Sequence, residues 1–205
     1  GGVEVGTNAP TIFAPDLAAQ KRSLAMRDPN FSSPLLNSRA SHMFRELQAA
    51  WTSLSEHQIR PYVTDSLFDT VRYWLARYRD QGVREILEDV VIQRMEVAKI
   101  EHDPWFDAIT LRIFASMKEY QVAADGRVLS GSKGKPRHFS EYWTLIRRSD
   151  RAHKRGADPA SCPNCGAPLD KISQAGICGY CNGKVVSGDF DWVLAIIAQD
   201  EEYTG

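Results

Sequence analysis

The four cysteines of the chain, Cys162, Cys165, Cys178 and Cys181, lie close together in CPNCG and CGYCN, with twelve residues between Cys165 and Cys178. A segment this short cannot bury enough apolar surface to fold alone, so its sulfurs must hold it together. Each two-residue gap lets a pair of thiolates reach one ion, and the loop between brings the pairs face to face. That is the spacing of a zinc ribbon, here spanning residues 161–188. Asn164 to Gly166 and Gly179 to Asn182 are the turn-tolerant residues that let backbone amides approach the sulfurs. The competing readings are two disulfides, redox-active CxxC pairs and a rubredoxin-like iron site. No βαβ pattern surrounds the motif and no other cysteine signals an oxidising compartment, although ligand type alone does not separate iron from zinc. Four thiolates would complete the shell of a single zinc ion, leaving no open position, so the expected role is structural.

The remainder is long enough for a sizeable domain. With 43% hydrophobic and 25% charged residues and a net charge of -1, the composition is that of a globular protein with no global bias toward nucleic acid. The longest apolar run, Trp192 to Ala198, falls far short of the roughly 20 residues that span a bilayer. No signal-peptide pattern is present. The chain opens on Gly1-Gly2, which leaves room for processing or for an upstream membrane segment.

Residues 1–27 read as an extended or disordered arm, the first sixteen mixing Gly, Pro, Thr and Asn without a period. A helix follows, with Ser33 as cap, Pro34 in the first turn, and Leu36, Ala40, Met43, Phe44, Leu47, Trp51 and Leu54 on one stripe. Thr64 is the expected cap of another, carrying Leu67, Phe68, Val71, Leu75 and Tyr78 until Gly82 ends it. The period then changes to two. Ile109, Leu111, Ile113, Ala115 and Met117 alternate with Thr110, Arg112, Phe114 and Ser116 in a long strand, after a less regular one over 86–97. A turn at Asp125-Gly126 and a last strand over 139–146 complete an α+β pattern in which an antiparallel sheet wraps the helices.

The order DPNF, LQAAW, RPYVTDSLFDTV, RYRDQG, DAITLRIFASMKEY, DGRVLSGS and FSEYWTLIRR resembles bacterial members of the Tim forty-four-like family. These are similar to the C-terminal domain of a mitochondrial inner-membrane import translocase subunit. CPNCGAPLD, CGYC and SGDFDWVL resemble the family's zinc-ribbon variant. The resemblance covers residues 28–198. It implies a cone-shaped fold of the nuclear-transport-factor-two type, with an apolar pocket between sheet and helices. It also implies a peripheral inner-membrane adaptor that touches protein partners or anionic lipid. The long chaperone-recruiting N-terminal region of the mitochondrial protein has no counterpart in this sequence, so motor recruitment is not carried over.

The expected layout is a 28–149 cone domain, a 150–160 basic linker, the 161–188 ribbon, and a 189–205 helix with an acidic tail. Phe190, Trp192, Val193, Ile196 and Ile197 form the apolar part of that helix and Asp189 its cap. The five histidines have no ligand or dyad spacing and read as packing or solvated groups. Glu141 shares a strand face with Phe139, Trp143 and Leu145, which calls for an ion-pair partner, Arg112 or Arg147, or a role in a pocket with Tyr142 or Tyr120. Lys133 to Arg155 holds eight basic residues against two acidic ones, while residues 185–205 hold five acidic and no basic ones. Lys133, Lys135, Arg137, Arg147, Arg148 and Arg151 are the candidate anionic-surface contacts. No aromatics interleave with them to stack bases, which disfavours nucleic acid. The expected function is a non-enzymatic adaptor for protein partners on the cytoplasmic side of a bacterial inner membrane. The alternative is a small-molecule binder, hydro-lyase or isomerase using the cone pocket.

Overall fold

The structure, a computed structural model, describes residues 2–154, 156 and 158–205. Gly1, Arg155 and Ala157 lie outside it, and with them one cation of the basic linker.

Three helices form one layer: α1 (Leu17–Arg27), α2 (Ser33–Ser53) and α3 (Asp65–Gln81). The cap of α2 is Ser32, one residue before the expected one, its hydroxyl accepting the Leu35 N–H at 3.4 Å. Thr64 caps α3 as expected, and Gly82 ends it in the left-handed region at φ 64°, where a side chain would be strained. The other layer is an antiparallel sheet of β1 (Arg84–His102), β2 (Phe106–Val122), β3 (Val128–Gly131), β4 (Arg137–Arg148) and β5 (Val193–Gln199). Its order is β1-β2-β4-β5, with β3 pairing to the end of β2. Three register shifts between β1 and β2 account for the irregular β1 sequence and bend the sheet around the helices.

The alternation in β2 and β4 decides which face is buried against the helices. Ile109, Leu111, Ile113, Ala115 and Met117 of β2 join Phe139, Trp143 and Leu145 of β4 in one core with Met43, Phe44 and Leu75. Trp143 is 0% exposed, its ring 5.3 Å from that of Phe44.

Two expectations are corrected. The segment expected to be an extended arm contains α1, which docks through buried Leu24 and an Arg27–Asp107 ion pair of 2.6 Å. The residues before α1 lie along the outer face of the sheet, tied by Glu4 N–H to His138 O and Ala14 N–H to Ala98 O, both 2.8 Å. The expected C-terminal helix is instead β5. The edge of β4 offers a row of unpaired backbone groups, and Val193–Gln199 satisfies them in register, Trp143 opposite Ile197. Asp189 therefore caps no helix.

Residues 158–188 form no regular strand or α-helix. They gather around a small separate cluster of Cys162, Ile172, Cys178, Val185 and Val186. Arg60, 1% exposed, clamps this unit to the helices. It donates to Gln174 O at 2.6 Å and Val63 O at 3.1 Å, pairs with Asp65, and lies over the Phe68 ring. Lys184 reaches the same Asp65 at 2.7 Å.

Candidate functional site

The turns of the ribbon bring all four sulfurs within 4.8 Å of one another. Cys162 and Cys181 are 3.9 Å apart, as are Cys165 and Cys178, far beyond a disulfide bond of about 2.05 Å. Sulfurs about 2.3 Å from a tetrahedral ion would stand about 3.8 Å apart, so the donor set fits one ion. The knuckles also supply donors to sulfur. Tyr180 N–H points to Cys178 Sγ, and Gly183 N–H and Asn164 Nδ2 to Cys181 Sγ, each at 3.4 Å. Gly179 is needed because a Cβ there would meet Lys171 O at 2.5 Å. Gly183 N–H and then Asn164 draw the Cys181 thiol down to about 7, whereas burial pushes Cys162 up to about 12. Residues Cys162, Cys165, Cys178 and Cys181 would together hold the metal, which when bound supplies a cross-link rather than a reactive centre.

A second site lies between the helices and the inner face of the sheet. It is a cavity of about 340 Å³ walled by Leu47, Trp51, Trp74, Leu87, Met117 and Phe139, with Glu85, Glu119 and Glu141 among its lining residues. Glu141 is 8% exposed. Its Oε1 accepts from Trp143 Nε1 at 2.9 Å and its Oε2 from Gln199 Nε2 at 3.4 Å. Burial pushes its carboxyl above the usual range.

The expected ion pairs of Glu141 do not form. Arg112 sits on the opposite face of the sheet and pairs with Asp200 at 3.5 Å, and Arg147 pairs with Asp28 at 2.6 Å. Nor do the three candidate pocket residues converge. Tyr142 is on the outer face, stacked on Tyr203 at 3.8 Å, and Tyr120 donates to Glu88 at 2.7 Å. Only Glu141 lines the cavity. The polar residues Glu85, Glu119 and Gln199 that join it there were not singled out in the sequence. Glu119 was within reach, since it alternates in phase with Met117 and Ala115. Glu85 was not, because the bulges of β1 break the phase, and Gln199 sits in the strand expected to be a helix.

Burial and a hydrogen bond to the Glu85 carboxyl push Glu119 up to about 8, with Arg137 pulling the other way. A carboxyl whose folded pKa is raised stabilises the fold through its neutral form. That contribution is full below the unfolded value near 4.5 and is lost as pH rises through about 8. Thermal unfolding followed across this window should show Glu119→Gln flattening the decline in Tm. An unchanged slope would place the titration elsewhere.

The basic residues are mostly engaged. Arg137 pairs with Glu4 at 3.0 Å and Glu119 at 2.8 Å, Arg148 with Asp150 at 2.5 Å, and Arg151 with Asp189 at 3.6 Å. Arg147 is buried, stacked over Trp192, and so is not a surface contact, a correction to the expected patch. Lys133 and Lys135 are exposed, and among the described residues neither makes an ion pair.

Residues 17–156 match the model of the Tim44-like domain. The chain belongs to that family. The match runs from α1 through β4 into the linker, so the helices-on-curved-sheet unit is a Tim44-like domain of nuclear-transport-factor-two type, and the cysteine cluster follows it. It also begins earlier than the resemblance in the sequence did, taking in α1. No curated protein matches the chain at a significant level. The crystal structure of the intermembrane space region of the chloroplast protein ARC6 is similar at 9% identity and a TM-score of 0.39, over 56% of this chain and 85% of that chain.

Proposed function

We propose that this chain is a non-enzymatic adaptor, stabilised by one structural zinc ion, that holds protein partners at the cytoplasmic side of a bacterial inner membrane. The observation that carries the reading is the Tim44-like domain over residues 17–156. The clamp around Arg60 supports it, because it fixes domain and ribbon as one surface on which a partner can dock. No helix among the described residues is long and apolar enough to cross a membrane, and peripheral contact is the form proposed.

Magnitudes favour proteins over lipid as the main anchor. Lys133 and Lys135 each contribute about 1 kcal/mol near an anionic surface, too little for lasting attachment by themselves. Binding to phosphatidylglycerol vesicles should therefore be weak, vanish by about 1 M salt as the screening length shrinks to ~3 Å, and fall further in Lys133→Glu/Lys135→Glu. Affinity capture from native membranes tests the whole reading. A defined set of membrane-associated proteins, retained by the intact chain and not by an unrelated bait, is expected. Indistinguishable captures would overturn it. The second reading, a small-molecule binder, is favoured by the cavity beside Glu141.

A further inference from the structure

We propose that the cavity between α2, α3 and the sheet binds a small hydrophobic organic cation, an alkylammonium, with Glu141 as its counter-ion. This assigns a ligand class to the second reading and does not depend on the adaptor function.

The argument begins with charge. Three carboxylates, Glu85, Glu119 and Glu141, line the cavity, and Arg137 is the only cationic side chain among the residues lining it. Arg137 is committed to Glu4 and Glu119. Glu141 is buried, 8% exposed, and its hydrogen bonds come from an indole and an amide, both neutral. A carboxylate removed from water is costly unless a positive charge accompanies it, and the rest of the fold sends Arg112 and Arg147 to other carboxylates. Without a ligand the neutral form of the carboxyl relieves that cost; once it ionises, the cavity itself is the remaining place from which a cation can come.

The walls specify what else that ligand carries. Trp51, Trp74 and Phe139 offer aromatic rings, which attract ammonium groups, and Leu47, Leu87 and Met117 offer apolar contact for a hydrocarbon chain. Trp74 is 44% exposed and lines the cavity, leaving a way in from solvent. A volume of about 340 Å³ lies at the small end of ligand pockets. At roughly 30 Å³ per atom, as for a water molecule in the liquid, it holds on the order of ten non-hydrogen atoms. Fatty acids and anionic headgroups are disfavoured, because their charge would meet the carboxylates.

The test uses the full zinc-loaded chain at pH 8.5 with three probes of one length: n-hexylammonium, n-hexanol and n-hexanoate. Calorimetry and tryptophan fluorescence should show n-hexylammonium binding at least tenfold more tightly than n-hexanol, and n-hexanoate not binding. Glu141→Gln should remove the tenfold preference while leaving n-hexanol affinity unchanged. If that variant fails to fold, Trp74→Ala at the partly exposed wall is the second probe and should weaken n-hexylammonium severalfold. Equal affinity for amine and alcohol, or no binding of either, would overturn the proposal, as would a preference that survives Glu141→Gln. An acetylated, amidated Leu-Lys-Leu peptide binding more tightly than n-hexylammonium would overturn the small-molecule assignment and make the cation a partner's lysine.

Discussion

Removing the metal is expected to unfold residues 161–188 and leave the Tim44-like domain standing. The ribbon's own cluster contains three buried aliphatic side chains, Ile172, Val185 and Val186, besides its cysteines. Three side chains are too little apolar surface to offset the conformational entropy lost in ordering the whole segment, so without the ion it is unstable. Binding of a structural zinc ion is itself folding free energy where no preformed site exists in the unfolded chain, so the metal decides whether this segment is ordered. The larger domain should survive, since Arg60 keeps Val63 O and Asp65 when it loses Gln174 O, and β5 is held by its own ladder to β4. Metal analysis should find one zinc per chain. Hydrogen exchange after chelation should show rapid exchange across 161–188 with β2 and β4 still protected, and Cys181→Ser should reproduce the pattern. Protein purified without chelator that contains no zinc and four free thiols would sink this account.

What the sequence revealed and what it hid follow from the range of the interactions involved. The cysteine spacing, the caps Thr64 and Gly82 and the alternation of β2 are local, and each was legible. The strand β5 was not, because a short apolar run such as VLAIIAQ suits a helix or a strand equally, and the free edge of β4 decides between them. Helix α1 buries only Leu24, too little to leave a period, and owes its position to Arg27 meeting Asp107 from across the sheet. Glu141 was legible as an unusual carboxylate on an apolar face. Its partners were not, since Gln199 is supplied by a strand that the sequence did not announce, and the two arginines that were candidates are claimed by Asp28 and Asp200.

The outer face of the sheet gives the second large expected effect. Arg112 is 1% exposed although it alternates with the core residues of β2, because the N-terminal arm and the C-terminal tail cover it. Its guanidinium donates to Ala9 O at 2.6 Å, Gly6 O at 3.0 Å and Ser140 Oγ at 3.1 Å, and faces Asp200 at 3.5 Å. One side chain thus ties both chain ends to the sheet. Arg112→Met keeps the length of the side chain and removes the charge, which leaves Asp200 buried without a cation and two carbonyls without donors. Breaking a buried pair in this way costs about 3–5 kcal/mol, and the loss should concentrate in residues 2–14 and 199–205. Exchange of amides in those two segments should accelerate together, while α2 and α3 keep their protection. Adding Asp200→Asn to Arg112→Met should restore part of the stability, because the stranded charge is then gone. A loss below about 1 kcal/mol, the range of exposed ion pairs, would show that the arm and tail are held by something other than Arg112.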